Sequence, residues 1–362
     1  MENDDESYKQ FLDLVYESYN DSYNESSTYV TDELVTLCET ADVNKFGATF
    51  IPLFYHMNFL LSLLGNGLVL CIIYKYEKLN SVTNIFLLNL VFSDILFACS
   101  LPFWATYHST EWIFGRALCK IVGSMYCIGF YSSILFLTLM TFDRYLAVVH
   151  AITAAKSRRK LYACSLSAAV WLVSILAGLK ELVLYDVWKH HSMGYMCDET
   201  GYSEAVMTKW KLVGYYQQFL VFFLLPLLMV LYCYIRITVR IMSTRMKEKC
   251  RAVKLIFVII FTFFICWTPY NVVILLRALH ISRSDNSNDC SEALDYALYV
   301  TRNVAYLYCC VSPVFYTFVG KKFQSHFRKL VSKRIPCLKS TLLTSQSSRT
   351  TSQRSPYTNC DY

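Results

Sequence analysis

Three groups of side chains in this 362-residue chain sit where ionic or redox chemistry would matter. The first is Asp143-Arg144-Tyr145. It closes a long apolar stretch in which, from Ala117 to Met140, Lys120 is the one charge. An acid beside an arginine at such a boundary either locks the pair or releases the guanidinium to a partner. The plainer role is an interfacial ion pair that ends a helix. The second group is Asp94 and Arg302, ionisable residues embedded in apolar runs. In a bilayer core such a group costs about 2.5–3.5 kcal/mol on insertion scales, so each is expected to face the bundle interior, water or a partner. Asn66, Ser133 and the polar part of the last apolar run are candidate partners for Asp94. The third group is cysteine. No nucleophile–base pair and no metal-ligand spacing stands out, so an enzyme is disfavoured.

The elements that must hold these groups follow from composition. The chain is 55% hydrophobic, 16% aromatic and 17% charged, outside the range of ordinary soluble domains. Its apolar residues form seven blocks, near 46–74, 82–105, 116–148, 161–184, 210–241, 252–279 and 292–319. Each exceeds or approaches the roughly 20 residues a helix needs to cross a bilayer. Backbone amides cannot remain unpaired in lipid, so helices are expected. The predicted fold is an all-α membrane protein, a seven-transmembrane helix bundle over 46–319. Prolines fall inside several blocks, at Pro102, Pro226, Pro269 and Pro313, where helices should kink. From Cys119 to Arg144 is 25 residues, about 37 Å of helix, enough to join the outer loop to the inner face.

Charge sets the orientation. The loops after blocks one, three and five are basic: Lys75 and Lys78, then Lys156 to Lys160, then seven basic residues from Arg236 to Lys254. Nine more follow from Lys321, against the single acid Asp361. The first 44 residues hold twelve acids and only Lys9. The N-terminus is therefore expected outside and the C-terminus inside, an arrangement that needs an odd number of spans. The first residues lack the basic and apolar regions of a secretory leader, so block one is expected to act as its own insertion signal. The net charge of +7 then reflects two opposite faces, and nucleic acid is a poor reading of it. Of fifteen cysteines, Cys38, Cys119, Cys197 and Cys290 fall outside. In an oxidising compartment these predict two disulfides with three connectivities.

Residues 1–45 read as an extracellular acidic arm with five tyrosines, Tyr8, Tyr16, Tyr19, Tyr23 and Tyr29, too polar to bury a core. Asn20 and Asn24 begin glycosylation sequons on the correct side. The arm is either a solvating tail or an electrostatic trap for a basic ligand, strengthened by tyrosine sulfation. Residues 320–333 place Phe323, Phe327, Leu330 and Val331 among basic residues, a short amphipathic eighth helix for the inner leaflet with Cys337 as a palmitoylation candidate. Residues 334–362 form a Ser/Thr-rich cytoplasmic tail that phosphorylation would turn into an acidic docking strip. Trp171, inside block four, is expected to pack.

Taken in order, Asn66, Asp94, Asp143-Arg144-Tyr145, Trp171, Pro226, Trp267-x-Pro269 and Pro313-x-x-Tyr316 fall about one to a helix. Over residues 46–333 the chain resembles rhodopsin-like G protein-coupled receptors. Asp143-Arg-Tyr-Leu-Ala-Val-Val-His-Ala151, Ser100-Leu-Pro102, Trp112-x-Phe-Gly115 and Cys309-Cys310 narrow the resemblance to chemokine receptors. Within them it resembles the XC (lymphotactin) type, on Ser81–Phe86, Tyr131–Ile134, Asp295–Leu298 and Arg302-Asn303, with a CC-type or unclassified fish-like receptor as the alternative. CC-type receptors usually carry a glutamate where Arg302 stands. Two departures matter: Ser312 replaces the asparagine of the family's Asn-Pro-x-x-Tyr motif, and Tyr308 replaces a histidine.

The resemblance implies disulfides Cys119–Cys197 and Cys38–Cys290. It also implies a ligand pocket, for which Tyr55, Trp104, Tyr126, Tyr270, Arg302 and Tyr306 are the chosen lining. Arg302 should favour an acidic group on the ligand or pair with a pocket acid. A switch of Asp143, Arg144, Tyr145, Tyr234, Trp267, Pro269, Pro313 and Tyr316 would couple the pocket to a heterotrimeric G protein of the inhibitory class, for chemotaxis and calcium signalling. The implied partners are a chemokine, XC-type among them, arrestin after tail phosphorylation, and membrane lipid. No cofactor is expected beyond a sodium ion at Asp94 and Ser133, a site weakened by the shorter reach of Ser312. Two other classes compete. A chemokine scavenger would typically lose Asp-Arg-Tyr, which is kept here. A transporter would show repeats or several interior charges, where this chain shows chiefly Asp94 and Arg302.

Overall fold

The computed structural model describes residues 41–77, 81–150, 160–190, 194–244, 247–283, 292–319, 324–327 and 329. All belong to one compact unit, Ala41–Asp285 with Ser291–Tyr362. Cys38, Cys290, Asn20, Asn24, the acidic arm, Cys337 and the Ser/Thr-rich tail lie outside the described residues, as does most of the amphipathic segment 320–333.

Span one is helix α1, Ala41–Tyr76; span two is α2, Val82–Ser109; span three is α3, Gly115–Val149. Span four consists of α4, Lys160–Ala177, and α5, Leu179–Leu184, followed by strands β1, Tyr185–His190, and β2, Gly194–Glu199. Span five runs through α6, Glu204–Tyr216, a π-helical stretch, Gln217–Leu224, and α7, Leu225–Thr244. Spans six and seven are α8, Lys247–Arg283, and α9, Glu292–Val319. Among the described residues the first six spans are long and apolar enough to cross a membrane. The 28 residues of α9 reach about 42 Å.

Large apolar side chains such as Leu53, Leu64, Leu161, Leu225 and Met242 point outward, while Asn58, Ser62, Asn66, Asp94 and Asn303 are buried. That inversion suits a protein whose solvent is hydrocarbon. Small residues permit the closest helix approach: a Cβ on Gly129 would stand 2.6 Å from the backbone nitrogen of Phe97, so only glycine lets spans two and three meet there. Trp171 packs on Phe136, with rings 5.9 Å apart, but its indole N–H also donates to Asn89 at 2.9 Å. Its role therefore exceeds packing: it ties span four to span two.

Three features depart from the sequence expectation. Span four is not one helix over 161–184. The Gly178 N–H reaches both Ser174 and Ile175 carbonyls, at 3.0 and 3.1 Å, and the helix breaks there. Span five widens to π-helix just ahead of Pro226, which cannot donate an N–H and would crowd the carbonyl four residues before it. An antiparallel hairpin, with Val187 opposite Cys197, interrupts the helices among the described residues. At the inner end His326 stacks on Tyr76 at 5.0 Å and lies 3.4 Å from Glu77, so the described part of segment 320–333 rests against span one.

Candidate functional site

The outer face is built on the Cys119–Cys197 disulfide, Cα–Cα 5.7 Å, which bonds β2 to the start of span three. Trp112 fixes the same hairpin from the first outer loop. Its backbone N–H donates to Tyr195 O at 2.8 Å, and its indole donates to Gly115 O at 2.9 Å. Gly115 has φ +77°, the left-handed turn that lets the loop double back under the indole before span three begins. Glu111 accepts from the Tyr195 N–H at 2.7 Å, and Arg116 pairs with Asp186 at 2.5 Å. The hairpin is therefore held by a covalent bond, two hydrogen bonds at the Tyr195 backbone and ion pairs, Arg116–Asp186 among them.

Below it, five of the six residues expected to bind ligand come together. Tyr306 donates to Tyr126 at 2.7 Å, and the rings of Tyr55 and Tyr306 lie 5.5 Å apart. Tyr270 is buried beside Tyr126 and Gln218. Arg302 stands within electrostatic reach of the hydroxyls of Tyr55, Tyr306, Tyr270 and Tyr126, with its guanidinium carbon 5.4 Å from the Tyr299 ring centre. Its Nε and Nη2 are buried with no hydrogen-bond partner among the described residues. Trp104 sits at the edge of this group. It packs mainly on Trp112, Tyr107 and Tyr185, at 5.7, 6.0 and 6.3 Å, and so belongs as much to the hairpin.

Trp267 forms the floor. It stacks on Phe130 at 4.2 Å and touches Tyr270 and Tyr306 at 5.9 and 6.3 Å. Pro269 lies two residues on, inside α8. A small cavity on the other side of Trp267 is lined by Asp94, Ser133, Phe130 and Tyr308. Ser133 donates to Asp94 at 2.8 Å. The Asn66 amide donates to the carbonyl and the hydroxyl of Ser62, both at 3.1 Å. Thus the buried carboxylate and the indole share one cavity.

At the inner end of span three, Thr83 stands between the charges. Arg144 Nη2 donates to its hydroxyl at 2.8 Å, and that hydroxyl donates to Asp143 at 3.2 Å. The Tyr145 hydroxyl lies 3.0 Å from His150 Nε2. Tyr234 is buried with Val230 and Ile260 between spans five and six. The side chains of Ser312, Pro313 and Tyr316 lie outside the described residues.

A buried charged group escaped the sequence reading, which counted chiefly Asp94 and Arg302 in the interior. Lys180 pairs with Glu199 at 2.5 Å and with Glu181 at 3.6 Å, with side-chain exposures of only 14%, 7% and 7%. Glu181 also lies beside Cys127 of span three. The signal was present, since Lys180-Glu181 interrupts block four. Their position near its end made them look interfacial, whereas the hairpin folds over them. His108, whose ring is 6.0 Å from Tyr55, was also missed.

Residues 65–316 match the family described as "7 transmembrane receptor (rhodopsin family)". C-C chemokine receptor type 3 of Cavia porcellus is 37% identical over 312 residues, covering 85% of this chain and 86% of the relative. C-C chemokine receptor type 8 of Homo sapiens is 36% identical over 305 residues, 84% and 85% of the two chains. Chemokine XC receptor 1 of Homo sapiens is 40% identical over 286 residues, 79% and 82%. The chain belongs to the rhodopsin family of seven-transmembrane receptors and, within it, to the chemokine receptors. It is a multi-pass protein of the plasma membrane and a receptor rather than an enzyme.

Proposed function

We propose that this receptor takes a chemokine from outside and, in response, activates a heterotrimeric G protein of the inhibitory class, leading to calcium release and chemotaxis. The observation that carries the reading is the two ends of span three. Its outer end is bonded through Cys119–Cys197 to the hairpin over the tyrosine chamber, and its inner end presents Asp143 and Arg144 on Thr83. One rigid helix thus touches both the ligand side and the coupling side. The acidic arm would catch a basic chemokine core, and the chemokine's N-terminal segment would enter among Tyr55, Tyr126, Tyr270, Arg302 and Tyr306. Movement of Trp267 and span six about Pro269 would favour the state in which Arg144 leaves Thr83. Ligand must bind that state more tightly for any shift to occur. Both XC- and CC-type chemokines are offered as ligands, the XC type first because of Arg302-Asn303.

Arrestin recruitment by the phosphorylated tail and lipid contact by segment 320–333 complete the proposal. A sodium ion fits as a modulator: Asp94 and Ser133 offer the carboxylate and hydroxyl oxygens a hard cation takes, and a cavity adjoins them. When bound, it would neutralise Asp94 and hold spans two and three together. The test is saturable binding of labelled XC- and CC-type chemokines to cells expressing the receptor at their surface. At least one should bind and be displaced by its unlabelled form. Absence of saturable binding across the panel, with surface expression verified, contradicts the proposal.

A further inference from the structure

Among the described residues Arg302 is a cation without a counterion, in the part of the bundle where a counterion matters most. Its Nε and Nη2 are buried, and no described group accepts a hydrogen bond from them. The titratable groups around it are phenols, those of Tyr55, Tyr306, Tyr270 and Tyr126, and two of these are already bonded to each other. Among the described residues, four acids of the outer half are paired elsewhere. Glu181 and Glu199 share Lys180, Asp295 pairs with Arg277 at 2.7 Å, and Asp186 pairs with Arg116. His108, the other basic group near the chamber, packs its ring on Tyr55 and Tyr299. An arginine in this position, inside a membrane-spanning segment, is held at a free-energy cost that a ligand carboxylate would offset.

We infer that the tyrosine chamber is an anion subsite, and that Arg302 takes an aspartate or glutamate side chain carried on the ligand segment that enters the bundle. A guanidinium presents N–H groups in a planar fork that matches a carboxylate. The phenol hydroxyls donate as readily as they accept, so they can complete the shell around the second oxygen. The aromatic walls, Tyr299 and Tyr306 among them, favour a carboxylate borne on an apolar or aromatic stem. The inference names the ligand chemistry of the site in the proposed function and rests on that site being the ligand chamber. Its test uses neither chemokine nor G protein, so the two can fail separately.

The probes are phenylacetate and its neutral isostere phenylacetamide, added to the purified, detergent-solubilised full chain, with thermal unfolding as the readout. Phenylacetate at tens of millimolar is expected to raise the midpoint by about 2 °C or more, because a ligand bound only to the folded state stabilises it. Phenylacetamide is expected to leave the midpoint unmoved. Arg302→Gln should lose the phenylacetate shift while unfolding, without probe, at the wild-type midpoint or above. Arg302→Lys, which keeps the charge without the fork, should retain a smaller shift. Equal shifts from the two probes in the wild type would overturn the inference. So would an Arg302→Gln midpoint several degrees below wild type without probe, which would mean that Arg302 already has an anionic partner within the chain.

Discussion

Tyr306 of span seven donates its hydroxyl proton to Tyr126 of span three at 2.7 Å, directly joining the two helices that carry the coupling motifs. The bond is buried between two spans, so its loss should be felt. Tyr126→Phe or Tyr306→Phe leaves one hydroxyl without this partner and should lower stability by about 1–3 kcal/mol. The double variant should cost clearly less than the sum of the two. Thermal unfolding of the three purified variants tests this, and strict additivity would show that the bond carries no coupling energy.

Thr83 bridges Asp143 and Arg144 through one hydroxyl. Thr83→Val keeps the shape and removes both bonds. Arg144 should then be freer to leave, raising ligand-independent G-protein activity several-fold at matched surface expression. Unchanged basal signalling would mean that Thr83 does not hold the inactive arrangement.

Lys180, Glu181 and Glu199 form a buried ion group at the outer end of span four. Removing one member strands the others, a change that costs about 3–5 kcal/mol for buried pairs. Lys180→Met should therefore sharply reduce the folded, surface-expressed receptor. Lys180→Met combined with Glu199→Gln should recover part of it. If the single variant expresses at the wild-type level, the group is solvated and structurally minor.

Much of this was legible in the chain beforehand, for reasons that differ residue by residue. The spans could be read because hydrocarbon imposes length and apolarity on a helix. Cys119 could be placed outside because of the basic loops on the opposite face. The four chamber tyrosines could be chosen only through resemblance, since an aromatic at helical spacing looks the same whether it packs or binds, whereas Arg302 stood out as a charge in an apolar run. The break at Gly178 and the π-helix before Pro226 escaped because they are set by local packing: a Cβ at Gly178 would stand 2.8 Å from Ile128. The Lys180 group escaped because its burial depends on how the hairpin that follows it folds back, which span periodicity does not show. The role of Thr83 was invisible because its partners lie 60 and 61 residues away.

The outer disulfide joins residues 78 apart in sequence. A bond closing so long a loop contributes about 2–5 kcal/mol in small secreted domains. Cys119→Ser and Cys197→Ser should each lower the unfolding midpoint and chemokine binding together, and the double variant should resemble either one. A double variant much worse than both singles would indicate separate roles for the two cysteines.

The most direct test of the central claim is G-protein activation in cells expressing the receptor, measured across XC- and CC-type chemokines, with Arg144→Ala alongside. The account predicts a response to at least one chemokine that disappears in Arg144→Ala while binding of the same chemokine persists. Binding and internalisation by the wild type with no G-protein response would contradict it and identify a scavenger instead.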